Sequence, residues 1–307
     1  MRSILFYILS YNNFRLRSFN FKKACSMNRR RFINRSLWAT GGLLLGTGIY
    51  SWQIEPFWLE FVQKKMPLKN LPEFWNNKTL MQLSDLHVGK RFDYKFLIKS
   101  MEEAKKYNPD LVVYTGDFVT SYNDSLTQEK LEEVLQYAVK GKIATVAILG
   151  NHDYGKNWSE SEVADEITAL LTRNGILVLR NERLLINDLQ FIGIDDLWGV
   201  NYNPEKALEQ YDPNLPTITL CHNPDACDDE ILHSLKGWIL SGHTHGGQVK
   251  APFLPPFMLP VKNRKYSSGQ IEIHQDLQLY INRAIGHLWQ IRFNVRPEIT
   301  LFNLANG

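Results

Sequence analysis

The chain has 307 residues, 44% apolar and 22% charged, with a mean hydropathy of −0.28, a composition that excludes disordered, collagen-like and polytopic membrane classes. Its net charge of +3 hides a segregation: residues 1–54 hold nine of the 35 basic residues and no acid, leaving 26 basic against 32 acidic residues beyond Ile54. That acidic body argues against a general nucleic-acid binder, which needs a basic face to displace counterions, and leaves room only for a local basic groove. Three cysteines cannot build a disulfide framework in a chain this long.

At the N-terminus, Asn28-Arg29-Arg30-Arg31-Phe32-Ile33 precedes an apolar run from Leu37 to Tyr50. Paired arginines before a Gly- and Leu-rich run resemble a twin-arginine export signal. No small-x-small cleavage site follows Tyr50, so an uncleaved anchor is expected. The alternative is a basic tail before an ordinary buried helix. The run is shorter than the ~20 residues a membrane span needs. Residues 1–26 fit neither part, which leaves Met1 and Met27 both open as the start, and Cys25 is a weak lipidation candidate. The expected organisation is a basic segment with an apolar signal or anchor over 1–54, a connector over 55–77 and a body over 78–305. The connector's Trp58, Phe61, Phe74 and Trp75 suit either a helix at a membrane interface or packing on the body.

From Lys78 the sequence alternates. Thr79–Leu83 reads as a strand. Tyr94–Tyr107 has helical spacing and stops before Asn108-Pro109. Leu111–Thr115 is a buried strand, Ser125–Val139 a helix opened by a Ser125/Gln128 capping pair, and Ile143–Leu149 a third strand. Glu160–Arg173 is a helix closed by Asn174-Gly175. Further strands are expected at Ile176–Leu179, Leu189–Ile194, Thr217–Leu220, Gly237–Leu240, Gln270–Ile273, Leu277–Asn282 and Glu298–Leu304. The βαβαβα first half predicts a parallel sheet with crossover helices, and the second half is richer in strands.

Five strands end in metal-competent residues: Asp85-Leu86-His87, Gly116-Asp117, Gly150-Asn151-His152-Asp153, Cys221-His222-Asn223 and Gly242-His243-Thr244-His245. In open α/β sheets, ligands bind beyond the carboxyl ends of the strands. A lone His or Asp there is usually a turn residue or a cap. Five clusters holding five of the eight histidines are not explained by turns. Mixed imidazole, carboxylate and amide donors suggest a hydrolytic site with two divalent cations, Mn or Fe with Zn as a further option. Such a pair polarises a phosphoryl oxygen and generates hydroxide at neutral pH. Cys221 and Cys227 read as buried, reduced core residues.

LSDLHVG (83–89), GDFV (116–119), GNHD (150–153), CHNPD (221–225) and GHTHGGQ (242–248) resemble, in order, the five motif blocks of the calcineurin-like metallophosphoesterases. The tail INRAIG…IRFNVRPEITLF (281–302) resembles a bacterial membrane-associated branch, some members of which hydrolyse UDP-2,3-diacylglucosamine in lipid A synthesis. The resemblance implies a four-layer α/β/β/α sandwich of two mixed sheets. It implies that Asp85, His87 and His245 hold one metal, that Asp117 bridges, and that Asn151, His222 and His243 hold the other. His152 would act on the scissile phosphate as a catalytic group, with Asp153 orienting it.

Two weaker expectations accompany this set. Arg283 and Arg292 could neutralise substrate phosphates or serve as structural ion pairs. The apolar loop Ala251–Pro260 could line an acyl groove, dip into a bilayer or pack on the body. The expected function is a metal-dependent phosphoesterase acting on a phosphodiester or pyrophosphate, with a lipid-linked or nucleotide-linked small molecule as substrate and a membrane surface as partner. The alternatives are a general phosphodiesterase of the cell envelope and a non-catalytic scaffold. A Ser/Thr protein phosphatase is disfavoured, because GDFV continues as Thr120-Ser121-Tyr122 where that group has Asp-Arg-Gly. Attachment to the bacterial inner membrane through the N-terminus is expected. Export argues for the body outside and a UDP-linked substrate for the body inside.

Overall fold

The computed structural model describes residues 28–89, 93–122 and 125–307. The expectations for Met27, Cys25 and residues 1–26 lie outside the described residues. The chain divides into two units, Met1–Gly46 and Thr47–Gly307. Most of α1 (Arg29–Ile49) belongs to the first, and none of its residues is buried. Among the described residues, no helix is long and apolar enough to cross a membrane.

The second unit is built on two six-stranded mixed sheets. The first contains β1 (Glu60–Leu68), β2 (Thr79–Leu83), β3 (Leu111–Thr115), β4 (Ala144–Ile148), β5 (Leu177–Val178) and β12 (Glu298–Asn306), in the order β1-β12-β2-β3-β4-β5. The run from β2 to β5 is parallel. The second contains β6 (Glu182–Ile186), β7 (Leu189–Ile194), β8 (Thr217–Cys221), β9 (Gly237–Ser241), β10 (Gly269–His274) and β11 (Leu277–Ile281), in the order β10-β11-β9-β8-β7-β6. Here β7, β8, β9 and β11 run parallel.

Each central strand buries both faces, and the side-chain period of two assigns alternate residues to different layers. Leu80, Val113, Val146, Phe191, Ile218 and Trp238 meet between the sheets. Met81, Val112 and Ala147 turn outward beneath α2 (Tyr94–Lys105), α3 (Ser125–Gln136) and α4 (Ser161–Arg173). Ile192 and Ile239 turn outward on the other side, under α5 (Pro204–Leu208) and the short turns at Pro224–Asp228 and Glu230–Ser234. This is the expected four-layer arrangement, with the fourth layer made of short helical turns.

Three elements differ from the sequence reading. Residues 55–77 carry β1, which pairs in parallel with β12 over Glu60–Leu68, and Trp75, which is fully buried with its indole N–H on the Asn187 carbonyl at 2.9 Å. Trp75 thus packs on the body, while Trp58 and Phe74 remain half exposed, and the strand is hidden from sequence because Gln63, Lys64 and Lys65 face solvent on an edge strand. A hairpin adds β6, turned by Asn187 and Asp188 at φ 44° and 62°, the left-handed pair a two-residue hairpin requires. The helix α5 is too short to give a period.

Candidate metal centre

Because β2, β3, β4 and β7, β8, β9 are parallel within their sheets, their carboxyl ends lie along shared rims, and the clusters that follow them meet there. Asp85 and His87 follow β2, Asp117 follows β3, Asn151 and His152 follow β4, His222 follows β8, and His243 and His245 follow β9. Residues far apart in sequence therefore form three overlapping groups of metal-competent atoms: Asp85/His87/His245, His87/Asp117/His152 and Asp117/His222/His243. Asp117 is shared between the second and third.

The backbone is bent to allow this. Asp85, His87, Asp117, His243 and His245 all adopt left-handed φ values of 48° to 68°, a conformation that costs energy for side chains with a Cβ and collects at functional sites. Two glycines let the loops close up. A Cβ on Gly150 would collide with Asp117 Oδ1, and one on Gly242 would collide with Asp85 Oδ2.

On one side, His87 Nε2 and His245 Nε2 face each other at 3.0 Å, and Asp85 Oδ1 lies 3.3 Å from His245 Nε2. On the other, His222 Nε2 and His243 Nδ1 are 3.3 Å apart. Asp117 Oδ2 sits between, 3.5 Å from His87 Nε2 and 3.2 Å from His222 Nε2. Its Oδ1 accepts the His152 amide at 2.9 Å.

Backbone carbonyls set the imidazole tautomers. A carbonyl can only accept, so a ring nitrogen bonded to one carries the proton and its partner keeps a lone pair. His222 Nδ1 donates to Thr115 O at 2.7 Å, and His243 Nε2 donates to Pro260 O at 2.9 Å. Both remaining lone pairs face Asp117. Asn151 is buried, and its Oδ1 has no hydrogen-bond partner. An orphaned amide oxygen, paired lone-pair nitrogens and a central carboxylate are the donor chemistry of a two-cation site. The residues present fit such a pair.

Electrostatics agree with that fit. Burial opposes charge on Asp85 and Asp117. The neighbouring histidines outweigh it, His245 first for Asp85 and His222 first for Asp117, so Asp85 falls to about 2 and Asp117 well below the usual range. Burial drives His87 well below its usual value, and burial with the His222 charge takes His243 to about 3, so both are neutral donors at pH 7. His222 is the exception. Burial lowers it, but Asp117 raises it well above the ordinary value, a proton that a bound cation would displace.

His152 is half-buried, the most open imidazole of the five. Its Nδ1 donates to the Thr120 carbonyl at 2.8 Å. Asp153 does not orient that ring, contrary to the expectation. Its carboxylate accepts the backbone N–H groups of Phe118, Val119 and Gly150 at 2.8, 3.2 and 2.9 Å, tying the loop after β3 to the loop after β4. Burial and the Asp117 charge push Asp153 up to about 8, while the amide donors pull it down.

The two arginines are likewise committed elsewhere. The Arg283 guanidinium bonds Glu298 and, at 2.9 Å, Glu60. Arg292 is fully buried and donates to the carbonyls of Arg283, Val295, Ala284 and Gly286. Both pin the C-terminal loop in place of meeting a phosphate. Cys221 and Cys227 are buried free thiols, as expected.

Sequence reasoning missed three neighbours of the site. Trp198 lies edge-on to the His243 ring with centroids 4.5 Å apart and stacks on Trp158 at 5.0 Å, and Trp158 approaches His152 at 6.4 Å. Asp196 follows β7, is fully buried, and accepts the Trp198 amide at 2.8 Å with its second oxygen unpartnered. The signal was available. The pair Asp195-Asp196 closes a sixth strand end in the same manner as the other five clusters.

The family model for calcineurin-like phosphoesterases matches residues 78–247. The chain is 30% identical to the uncharacterized metallophosphoesterase YkuE of Bacillus subtilis, over 91% of this chain and 98% of that protein. It is 29% identical to the phosphodiesterase YaeI of Escherichia coli, over 91% of this chain and 100% of that protein. It is 27% identical to the UDP-2,3-diacylglucosamine pyrophosphatase LpxG of Chlamydia muridarum, over 83% of this chain and 92% of that protein.

Proposed function

We propose, from the premise that this chain belongs to the calcineurin-like phosphoesterase family, that it is a phosphoester hydrolase whose substrate is a lipid-linked phosphodiester or pyrophosphate, with UDP-2,3-diacylglucosamine as the specific assignment. Family membership gives the hydrolase class. The observation that carries the chemistry is Asp117 Oδ2 lying between the His87 and His222 nitrogens. Two divalent cations, manganese in our reading, would supply Lewis-acid polarisation of the phosphoryl oxygen and a water of lowered pKa.

The chain's own residues have these roles. Asp85, His87 and His245 would hold one cation, Asn151, His222 and His243 would hold the other, and Asp117 would serve both. With its Nδ1 proton held by Thr120 O, His152 would present Nε2 toward the reacting phosphate, and in the doubly protonated imidazolium form it would stabilise charge there or give the Nε2 proton to the departing oxygen. Similarity to a protein named UDP-2,3-diacylglucosamine pyrophosphatase over most of both chains supports the lipid-linked substrate. So does the apolar loop 251–260, which leaves the His243/His245 loop directly. The basic, apolar N-terminal segment supports attachment at the inner membrane.

A second reading, a general phosphodiesterase of the envelope, is favoured by similarity to the protein named phosphodiesterase YaeI. The separating assay gives purified protein with Mn the acylated UDP-sugar and its deacylated counterpart. Release of UMP from the acylated form alone is expected. Equal turnover of both, or release from neither, overturns the lipid assignment. A compartment reporter fused after Gly307 decides on which side of the membrane the body lies.

A further inference from the structure

We propose that residues 49–54, 249–260 and 289–293 form one surface that docks on a lipid bilayer carrying anionic headgroups, beside the metal centre. The inference deepens the membrane part of the reading above and rests on it. It concerns which face of the body meets the lipid.

The three segments are tied together by named bonds. The Arg292 amide donates to Ser51 O at 2.9 Å and the Gln290 side chain to Trp52 O at 3.0 Å. The Gln248 side chain donates to the carbonyls of Trp289 and Ile291, each at 2.9 Å. Val249 and Phe293 form a bridge, and the Lys250 amide donates to Phe293 O at 2.9 Å.

This surface exposes large apolar side chains that a soluble body normally covers. Phe253 is 104% exposed, Phe257 85%, Met258 71% and Trp289 65%, with Trp52 and Leu254 also above half. Scattered exposed apolar residues need no explanation, whereas a contiguous patch marks an interaction site. Nor is the loop loosely collapsed. The Arg264 guanidinium donates to the carbonyls of Pro256 at 2.8 Å and Phe257 at 3.3 Å, which fixes the loop with both phenylalanines outward.

Charge identifies the occupant. Residues 250–265 contain four basic residues and no acid. No acid occurs anywhere between Glu230 and Glu272, or from Leu277 to Pro297. Lys262, Arg264 and Lys265 are exposed beside the apolar loop. Asp225 and Asp228 pack against this flank, but Asp225 is buried beneath the Lys262 and Asn263 amides and Asp228 accepts from Asn263 and Tyr266, so exposed Lys262, Arg264 and Lys265 face one exposed acid. Aromatic and aliphatic tips with this basic excess match the acyl boundary and anionic headgroups of a bilayer. A second copy of the chain fits worse, because a symmetric contact would set the same basic flank against itself. The loop's last residue also seats on the metal centre, since Pro260 O accepts the His243 Nε2 proton. A substrate drawn from the bilayer along this loop would arrive at His243.

The test uses the full chain carrying Cys25→Ser, with Cys221 and Cys227 buried. An environment-sensitive thiol fluorophore is placed through Phe253→Cys or, as a control, through Gln275→Cys at the exposed β10–β11 turn. Phosphatidylethanolamine vesicles are added with or without phosphatidylglycerol, and no substrate is present. The Phe253→Cys label is expected to shift to the blue with anionic vesicles, less so in high salt, while the Gln275→Cys label does not. Adding Lys262→Glu and Lys265→Glu should weaken apparent vesicle affinity about tenfold or more. No shift at Phe253→Cys, equal shifts at both positions, or a shift that follows protein concentration without vesicles overturns the proposal. The last of these outcomes points to self-association. Turnover of bis-p-nitrophenyl phosphate by each labelled protein reports the hydrolase separately, so failure of that reading and of this one are distinguishable.

Discussion

The Thr120 carbonyl accepts the Nδ1 proton of His152 at 2.8 Å, and this one bond decides which imidazole nitrogen faces the candidate metal ligands. With Nδ1 occupied, Nε2 is the atom left to act on a phosphate beside Asp117, and His152 is not required to hold a cation. Replacing His152 by Ala should therefore lower kcat by ~10²–10⁴-fold, the usual worth of a positioned acid or base. Metal content, read by elemental analysis, should stay at the wild-type level. Loss of metal in His152→Ala would make it a ligand.

Asp117→Asn should behave differently. Asp117 Oδ2 is within 3.5 Å of a nitrogen on each side of the cluster. An amide keeps the shape and removes the charge that two cations would share. Occupancy of both metals should fall together, and hydrolysis of a simple diester should drop below detection. Retention of one full equivalent of tightly held metal would show that the two sites do not depend on a shared carboxylate.

Asp153 carries a structural prediction. Three buried amides, those of Phe118, Val119 and Gly150, lose their acceptor in Asp153→Ala. An unsatisfied buried donor costs about 1–3 kcal/mol, so the variant should be destabilised by roughly 3 kcal/mol or more in denaturant unfolding. Metal affinity should weaken too, because these amides hold the loops that carry Asp117 and Asn151. A fully stable Asp153→Ala protein with only a displaced pH–rate profile would restore the idea that Asp153 tunes His152.

Much of the site was legible because its signal is positional. A strand read from its apolar run ends at Asp85, Asp117, Asn151, His222 or His243, and parallel topology brings those ends together. Three things were not legible, each for a physical reason. The bonds of Asp153 go to backbone amides, which sequence does not mark. Arg283 and Arg292 look like phosphate clamps in sequence, but their donors are taken by Glu298, Glu60 and main-chain carbonyls. The Trp158–Trp198 stack depends on loop conformation, including a left-handed φ of 58° at Trp158 that no local pattern announces. The edge strand β1 was hidden by its own polar face.

The metal-free protein should lose stability as the pH falls from about 6 to 5. His87 folds with its pKa well below 6.5 and His243 at about 3, burial being the main cause in each. His287 lies at about 3 through burial and then the Arg292 charge. A histidine depressed in the folded state takes up its proton in the unfolded chain first, near 6.5, so acidification through that value favours unfolding. His222 has the opposite sign. Asp117 raises its folded value, so its contribution is complete below 6.5 and fades only as the pH rises through that folded value. Between pH 6.5 and 5 it is protonated in both states and offsets none of the further loss. Asp85 and Asp117, depressed in the fold, contribute stability that disappears only when the pH falls below the ordinary carboxylate range. Asp153, raised to about 8, and Asp196, raised to about 6, oppose this, burial being the main cause in each, because a buried carboxyl takes up its proton in the fold before the unfolded chain does. The three depressed histidines outnumber them once the unfolded chain is protonated, so the net loss is concentrated between about pH 6 and 5. Thermal unfolding after chelation should give a lower Tm at pH 5 than at pH 6. Adding Mn should raise Tm more at pH 7 than at pH 5, because a cation needs the same lone pairs that protons occupy in acid. A Tm that rises on acidification from pH 6 to pH 5, or a Mn effect larger at pH 5, would show that His87 and His243 do not fold as neutral donors.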